Sequence, residues 1–255
     1  MDIIIIGSGN VATVVGRKIL SAGHRVIQVY SPDPDHAAEL ASLLRAKPIR
    51  SMKDLERSAD LILVSIPDNA YASFFQKFPR TGSFVAHTAG SVPLAALGNT
   101  GDRYGVLYPL QSLRKELQAV PEFPLLVDAN NPAALEELET FAADLSNTVI
   151  QANDETRLKY HVGAVLLNNF TNHLFALSED WCREEGIAFS LLHPLIRETV
   201  NRLEYLSPAT VQTGPAIRSD TQTLEKHRQL LSEYPALSDL YEVLTRSIQQ
   251  FSHNK

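Results

Sequence analysis

The stretch Asp2–Tyr30, DIIIIGSGNVATVVGRKILSAGHRVIQVY, decides the fold of this chain. Ile3 to Ile6 form an apolar, β-branched run without polar alternation, the pattern of a strand buried on both faces. Gly7-Ser8-Gly9-Asn10-Val11-Ala12 follows at once and matches G-x-G-x-x-A. Val11, Val14, Val15, Ile19 and Leu20 then recur at helical spacing, Gly23 stops the helix, and Arg25 to Tyr30 reads as a second buried strand. In such a β-α-β unit the first glycine permits the tight turn and the second lets backbone approach a pyrophosphate. The alanine keeps helix close to sheet. The helix N-terminus offers free N–H groups and partial positive charge to phosphates. Gly7, Ser8, Gly9, Asn10, Val11 and Ala12 are therefore expected to bind a dinucleotide, the alternative being a glycine turn without a ligand.

Bulk properties narrow the field. A chain of 255 residues predicts one large or two modest domains. A net charge of −6 with no basic block argues against nucleic acid and anionic membrane as partners. No apolar run approaches the roughly 18 residues of a spanning helix. A strand that starts at Asp2 leaves no room for a signal peptide, and the single cysteine, Cys182, fits a reducing compartment, so a cytoplasmic location is expected.

Further along, Ser31 stands at the tip of the second strand. It cannot repel a 2′-phosphate and can bond to it, which favours NADP over NAD, although Pro32 replaces the usual neighbouring arginine. The next buried strand, Asp60 to Ser65, ends in Ile66-Pro67-Asp68, a corner that should touch the cofactor while Asp68 caps the following helix. Gly82 to Ala86 delivers His87-Thr88-Ala89-Gly90-Ser91 to the same sheet edge. There Ala89 is expected near the cofactor, and His87 serves either the chemistry or a turn. Gly105 to Leu113 gives a strand with Gln111 at its polar exit, and further strands lie at Leu125–Asp128 and Thr148–Ile150.

The expected architecture is a doubly wound parallel sheet of Rossmann type over residues 1–152, followed by an all-helical domain over 153–255. Its first helix, about Asp154 to Glu185, sets Val162, Leu166, Phe170, Leu174, Leu177 and Trp181 on one apolar face, with Arg157, His161, Asn168 and Asn172 opposite. Lys159 projects within the apolar sector, and Asn169 and His173 sit at its edge. That polar stripe is either solvated or offered to a substrate. Asparagine is a poor helix former, so Asn168-Asn169 needs compensation. In Thr213–Asp220, Asp220 can cap a helix and Arg218 suits a carboxylate, unless the two merely pair. The histidine spacing shows no metal site.

Taken together, GSGNVA, SIPD, HTAGS, YPLQSL, LKYHVGAVLLNNFTNHL and TGPAIRSD resemble a family of NADP oxidoreductases with a Rossmann domain and a helical C-terminal domain of unknown function. That family is similar to pyrroline-5-carboxylate reductase, ketopantoate reductase and the 6-phosphogluconate and β-hydroxyacid dehydrogenases. The resemblance implies an NADP-linked reductase, dimeric through the helical domain, with its active site between the domains. Lys159, His161, Asn168 and Asn169 match the helix where those dehydrogenases keep a Lys and an Asn, but Gly163 breaks their K-x-x-x-N spacing.

The resulting expectation is hydride transfer between a nicotinamide dinucleotide and a small carbonyl, imine or hydroxy acid. His161, His87 or Lys159 would act as acid/base. Asn168, Asn169 and Gln111 would donate to a developing oxyanion, with His173 nearby and Arg218 on a substrate carboxylate. A dinucleotide-binding regulatory protein without turnover is the alternative, and an S-adenosylmethionine transferase is disfavoured by Ser31 at the strand tip.

Overall fold

A computed structural model of the protein describes residues 1–253. The isoleucine run is its central strand, β1 (Asp2–Ile6), and Ile3 to Ile6 are all fully buried. Helix α1 (Asn10–Ser21) follows and leads to β2 (Arg25–Tyr30), then α2 (Pro34–Leu43) and the short β3 (Lys47–Ile49). Strands β4 (Leu61–Val64), β5 (Phe84–His87) and β6 (Tyr104–Pro109) extend the sheet on the other side of β1. β7 (Leu125–Ala129), α4 (Pro132–Leu145) and β8 (Val149–Gln151) complete it.

The strand order is β3-β2-β1-β4-β5-β6-β7-β8, parallel throughout except for the antiparallel β6–β7 pair. This is a Rossmann-type doubly wound sheet with an added edge. Its period-2 geometry sends the isoleucines to opposite faces: Ile3 and Ile5 join the core under α1 and α4, Ile4 and Ile6 the core that includes Tyr71, Phe75 and Leu97. Register carries the same logic to the edge. Tyr30, Ile6, Val64, His87 and Val106 lie on one line across five strands, so the residues after the first four emerge together at the carboxyl edge while β6 runs on to Pro109.

Met52–Asp54 is a 3-10 turn, and Asp68–Ala70 is another, preceding the single-turn α3 (Tyr71–Phe75). Asp68 does not cap that helix. Its Oδ2 instead accepts a hydrogen bond from the Ser91 hydroxyl.

After β8, α5 (Asp154–Ala164) opens with Asn153 as its N-cap. Helical geometry then continues, but Val165–Phe170 is π-helix before α6 (Thr171–Glu184) resumes α-helical spacing. The expected helix is thus present, with Asn168-Asn169 inside a π-helical turn. The chain divides into two compact units at this point, Met1–Asn169 and Phe170–Lys255. The second contains α6, α7 (His193–Asn201), α8 (Thr221–Leu231) and α9 (Pro235–His253). A 3-10 turn (Phe189–Leu192) leads into α7, and a second (Arg202–Glu204) follows it. Asp220 caps α8 as expected, accepting from the Thr223 N–H at 3.1 Å. No helix among the described residues is long and apolar enough to cross a membrane.

Gly7 fixes the crossing at the end of β1. Its φ is +110°, and a Cβ there would lie 1.9 Å from the Ser65 carbonyl oxygen. Gly7→Ala is expected to destabilise the protein by about 3 kcal/mol or more, from strained backbone and overlap with a carbonyl that cannot yield. Chemical denaturation of the variant checks this.

Candidate functional site

The carboxyl edge of the sheet holds a groove of about 650 Å³ lined by the Gly7–Val11 turn, Tyr30–Pro32, Ser65–Pro67 and one side of α3 and its exit. Its floor is the α1 N-terminus. Gly9 is the N-cap, no side chain occupies the cap, and a Cβ on Gly9 would meet no atom within 4 Å. Backbone N–H groups of the first turn are therefore open to an anion, with the helix dipole behind them. The cradle fits a pyrophosphate.

Ser31 closes one end, buried, with its Oγ 2.9 Å from the Ser8 Oγ. Of the residues expected at the cofactor, Gly7, Ser8, Gly9, Asn10, Val11, Ser31, Ile66 and Pro67 line this groove. Ala12 lies fully buried beneath it, Asp68 holds Ser91, and Ala89 is buried with its N–H on His87. Tyr30, Ser65, Phe74 and Lys77 also line the groove. The apolar run before Gly82 hides Phe74 and Lys77, since only the fold shows which side of α3 turns toward the cradle.

His87 is completely buried at the end of β5. The Ala89 N–H donates to its Nδ1 at 3.2 Å, which leaves the ring proton on Nε2, and Nε2 has no hydrogen-bond partner. Burial, reinforced by the Arg157 cation, lowers its pKa to about 3. A ring so held is neutral at physiological pH and shapes the Thr88–Ser91 turn.

Beside that turn the structure brings together two rings that the motifs only hint at. Tyr108, two residues past Val106 on β6, places its Oη 3.0 Å from the His161 Nδ1 on α5. The rings meet edge to face, with centroids 5.9 Å apart. Gly90 lies against both: a Cβ there would be 2.7 Å from His161 Nδ1 and 3.0 Å from Tyr108 Cζ. Burial raises the Tyr108 pKa, and the Asp68 carboxylate raises it further, so the phenol keeps its proton. Tyr108 was not among the expected site residues. Its one signal in sequence is the tyrosine in YPLQSL at a predicted strand end.

Other expected residues fall elsewhere. Lys159 is exposed on α5 and pairs with Glu155 at i, i+4, about 200° around the helix from Arg157. Asn168 and Asn169 are exposed on the π-helical stretch, and Gln111 is exposed with its Oε1 accepting from the Ser112 N–H. His173 and Arg218 are exposed within the second unit. The long helix departs from the expected faces in its first part. Arg157, placed on the polar stripe, is 1% exposed, while Val162, Leu166 and Phe170 of the apolar face are 51%, 55% and 60% exposed and Leu174, Leu177 and Trp181 are half-buried. The loop after β5 offers polar backbone to that side of α5, so the cation goes in.

Comparison with known proteins agrees with this architecture. Residues 2–87 match the family model described as NADP oxidoreductase, coenzyme F420-dependent, and residues 123–248 match a domain of unknown function, DUF2520. A Bacteroides fragilis protein described as a "putative NADP oxidoreductase" is 36% identical, with a TM-score of 0.91 and 98% of each chain covered. Similar folds are a reductive aminase from Aspergillus terreus in complex with NADPH and ethyl-5-oxohexanoate, at 19% identity, TM-score 0.69 and 98% and 97% coverage. So is 1-pyrroline-5-carboxylate reductase from Streptococcus pyogenes, at 13% identity, TM-score 0.66 and 98% of each chain. No curated protein matches significantly.

His87 predicts a pH dependence. The unfolded chain takes up its proton near pH 6.5 and the folded chain only near 3, so stability is lost as pH falls through that window. This group should remove about 2 kcal/mol of unfolding free energy between pH 7 and pH 5. Denaturation at the two pH values checks it, and His87→Gln should abolish that share of the loss.

Proposed function

This chain belongs to the NADP oxidoreductase family, and we propose that it moves hydride between a nicotinamide dinucleotide, NADP in preference to NAD, and a small carbonyl, imine or hydroxy acid. The observation that supports the reading is one sheet edge carrying both an open phosphate cradle at Gly9 and the Tyr108–His161 pair. When bound, the dinucleotide supplies or accepts the hydride. The chain's own residues supply position and protons. The α1 N-terminus and the Gly7–Val11 turn hold the pyrophosphate, and Ser8 and Ser31 receive the adenine-ribose end.

Tyr108, kept protonated by burial, donates its phenolic proton to the substrate oxygen or nitrogen as negative charge develops there. His161, in contact with the same oxygen, stabilises the phenolate and restores the proton. In the oxidative direction the path reverses. Asn168 and Asn169, exposed on the π-helical stretch, supply amide donors to the substrate. His87 and Lys159 take no part, the one sealed and neutral, the other paired with Glu155 in solvent.

The protein acts as a homodimer through its helical part. Support comes from apolar side chains exposed there, with Leu191 at 76% and Tyr205 at 81%, more than a lone protein ordinarily leaves in water. Sedimentation should give twice the 28.2 kDa chain mass, and a single-chain mass would refute this assembly.

Calorimetric titration tests the cofactor. NADPH should bind more tightly than NADH, and Ser31→Asp should weaken NADPH by about tenfold, or ~1.4 kcal/mol, while sparing NADH. Failure of both cofactors to bind the wild-type protein would refute the oxidoreductase reading.

A further inference from the structure

An ion pair between a sealed Arg157 and a half-exposed Asp154 ties the loop after β5 to the first turn of α5. Arg157 Nη2 donates to the Val92 carbonyl at 2.6 Å and to Asp154 Oδ1 at 2.7 Å. The same Oδ1 accepts the Leu94 N–H at 2.9 Å. One acid and one base on a single helical turn thus grip a carbonyl and an amide of the loop. His161 stands four residues after Arg157, on the same face of α5. Beneath it is Gly90, at the other end of the gripped segment, so close that no Cβ fits.

The arrangement is a poor way to gain stability. Arg157 is 1% exposed, and its Nε and Nη1 are buried without hydrogen-bond partners. A guanidinium so placed bears a desolvation penalty that an apolar side chain of like volume would avoid. What the charge does supply is direction, because its planar donors and the carboxylate fix the loop relative to the helix at two points.

We infer that Asp154 and Arg157 are positioning residues: they set His161 against Gly90 and so hold its Nδ1 at the Tyr108 hydroxyl. The inference deepens the proposed role of Tyr108 and His161 in proton transfer and rests on that reading for its functional meaning. Neither residue of the clamp touches the reacting atoms. Their effect passes through the ring of His161.

The test reads that ring directly. Nitrogen-15 NMR of the full-length protein, with His161→Ala to assign the signals, reports the tautomer and titration of His161. In wild type the Tyr108 contact should hold Nδ1 in one hydrogen-bonded state. In folded Arg157→Met both nitrogens should move toward the averaged values of a free imidazole. Arg157→Lys, which keeps one donor for the Val92 carbonyl, should restore part of the wild-type signature.

A folded Arg157→Met with the wild-type His161 spectrum overturns the clamp. Should that variant not fold, Asp154→Ala, which removes the acceptor shared by Leu94 and Arg157, is read by the same criterion. The reductase reading fails separately, by absence of NADPH binding to the wild type, and the His161 comparison stands without it.

Discussion

The burial of β1 on both faces is the constraint from which the rest of this structure follows. Four consecutive isoleucines, all inaccessible to water, feed two cores alternately, so helices must cover both faces of the sheet. A strand held so tightly has no freedom at its end. Gly7 crosses the Ser65 carbonyl with no room for a side chain, and its positive φ turns the chain directly into α1. The open N–H groups at Gly9 are therefore a by-product of packing: the turn that makes the core possible also presents an anion site.

The same register that aligns the strands collects the chemistry. Residues following Tyr30, Ile6, Val64 and His87 leave the sheet along one line, and Tyr108 continues it on β6. Polar groups near this edge divide by burial. His87 and Arg157 are sealed and direct backbone, whereas the Tyr108–His161 pair is only partly covered. Low dielectric separates these roles, since it keeps His87 neutral and Tyr108 protonated.

The long helix shows how local and tertiary demands differ. Its hydrophobic period is real, yet Val162, Leu166 and Phe170 remain exposed and Arg157 goes in. Periodicity reports that a face is apolar, without saying what lies opposite it. The π-helical stretch at Val165–Phe170 holds the two adjacent asparagines, and it coincides with the boundary between the compact units.

By itself the sequence determined the sheet, the nucleotide cradle and the change to helices after β8, because these rest on contiguous runs whose periods and glycines act within a few residues. It also marked His161 and Ser31, which sit in motifs with distinctive neighbours. Only the tertiary structure decided that Tyr108 meets His161, that His87 is sealed, that Lys159 turns to solvent and that Arg157 is buried. Each of those outcomes depends on what another segment, tens of residues away, places opposite the side chain. Local pattern carries no such information, because the partner's position is set by packing and register across the whole sheet.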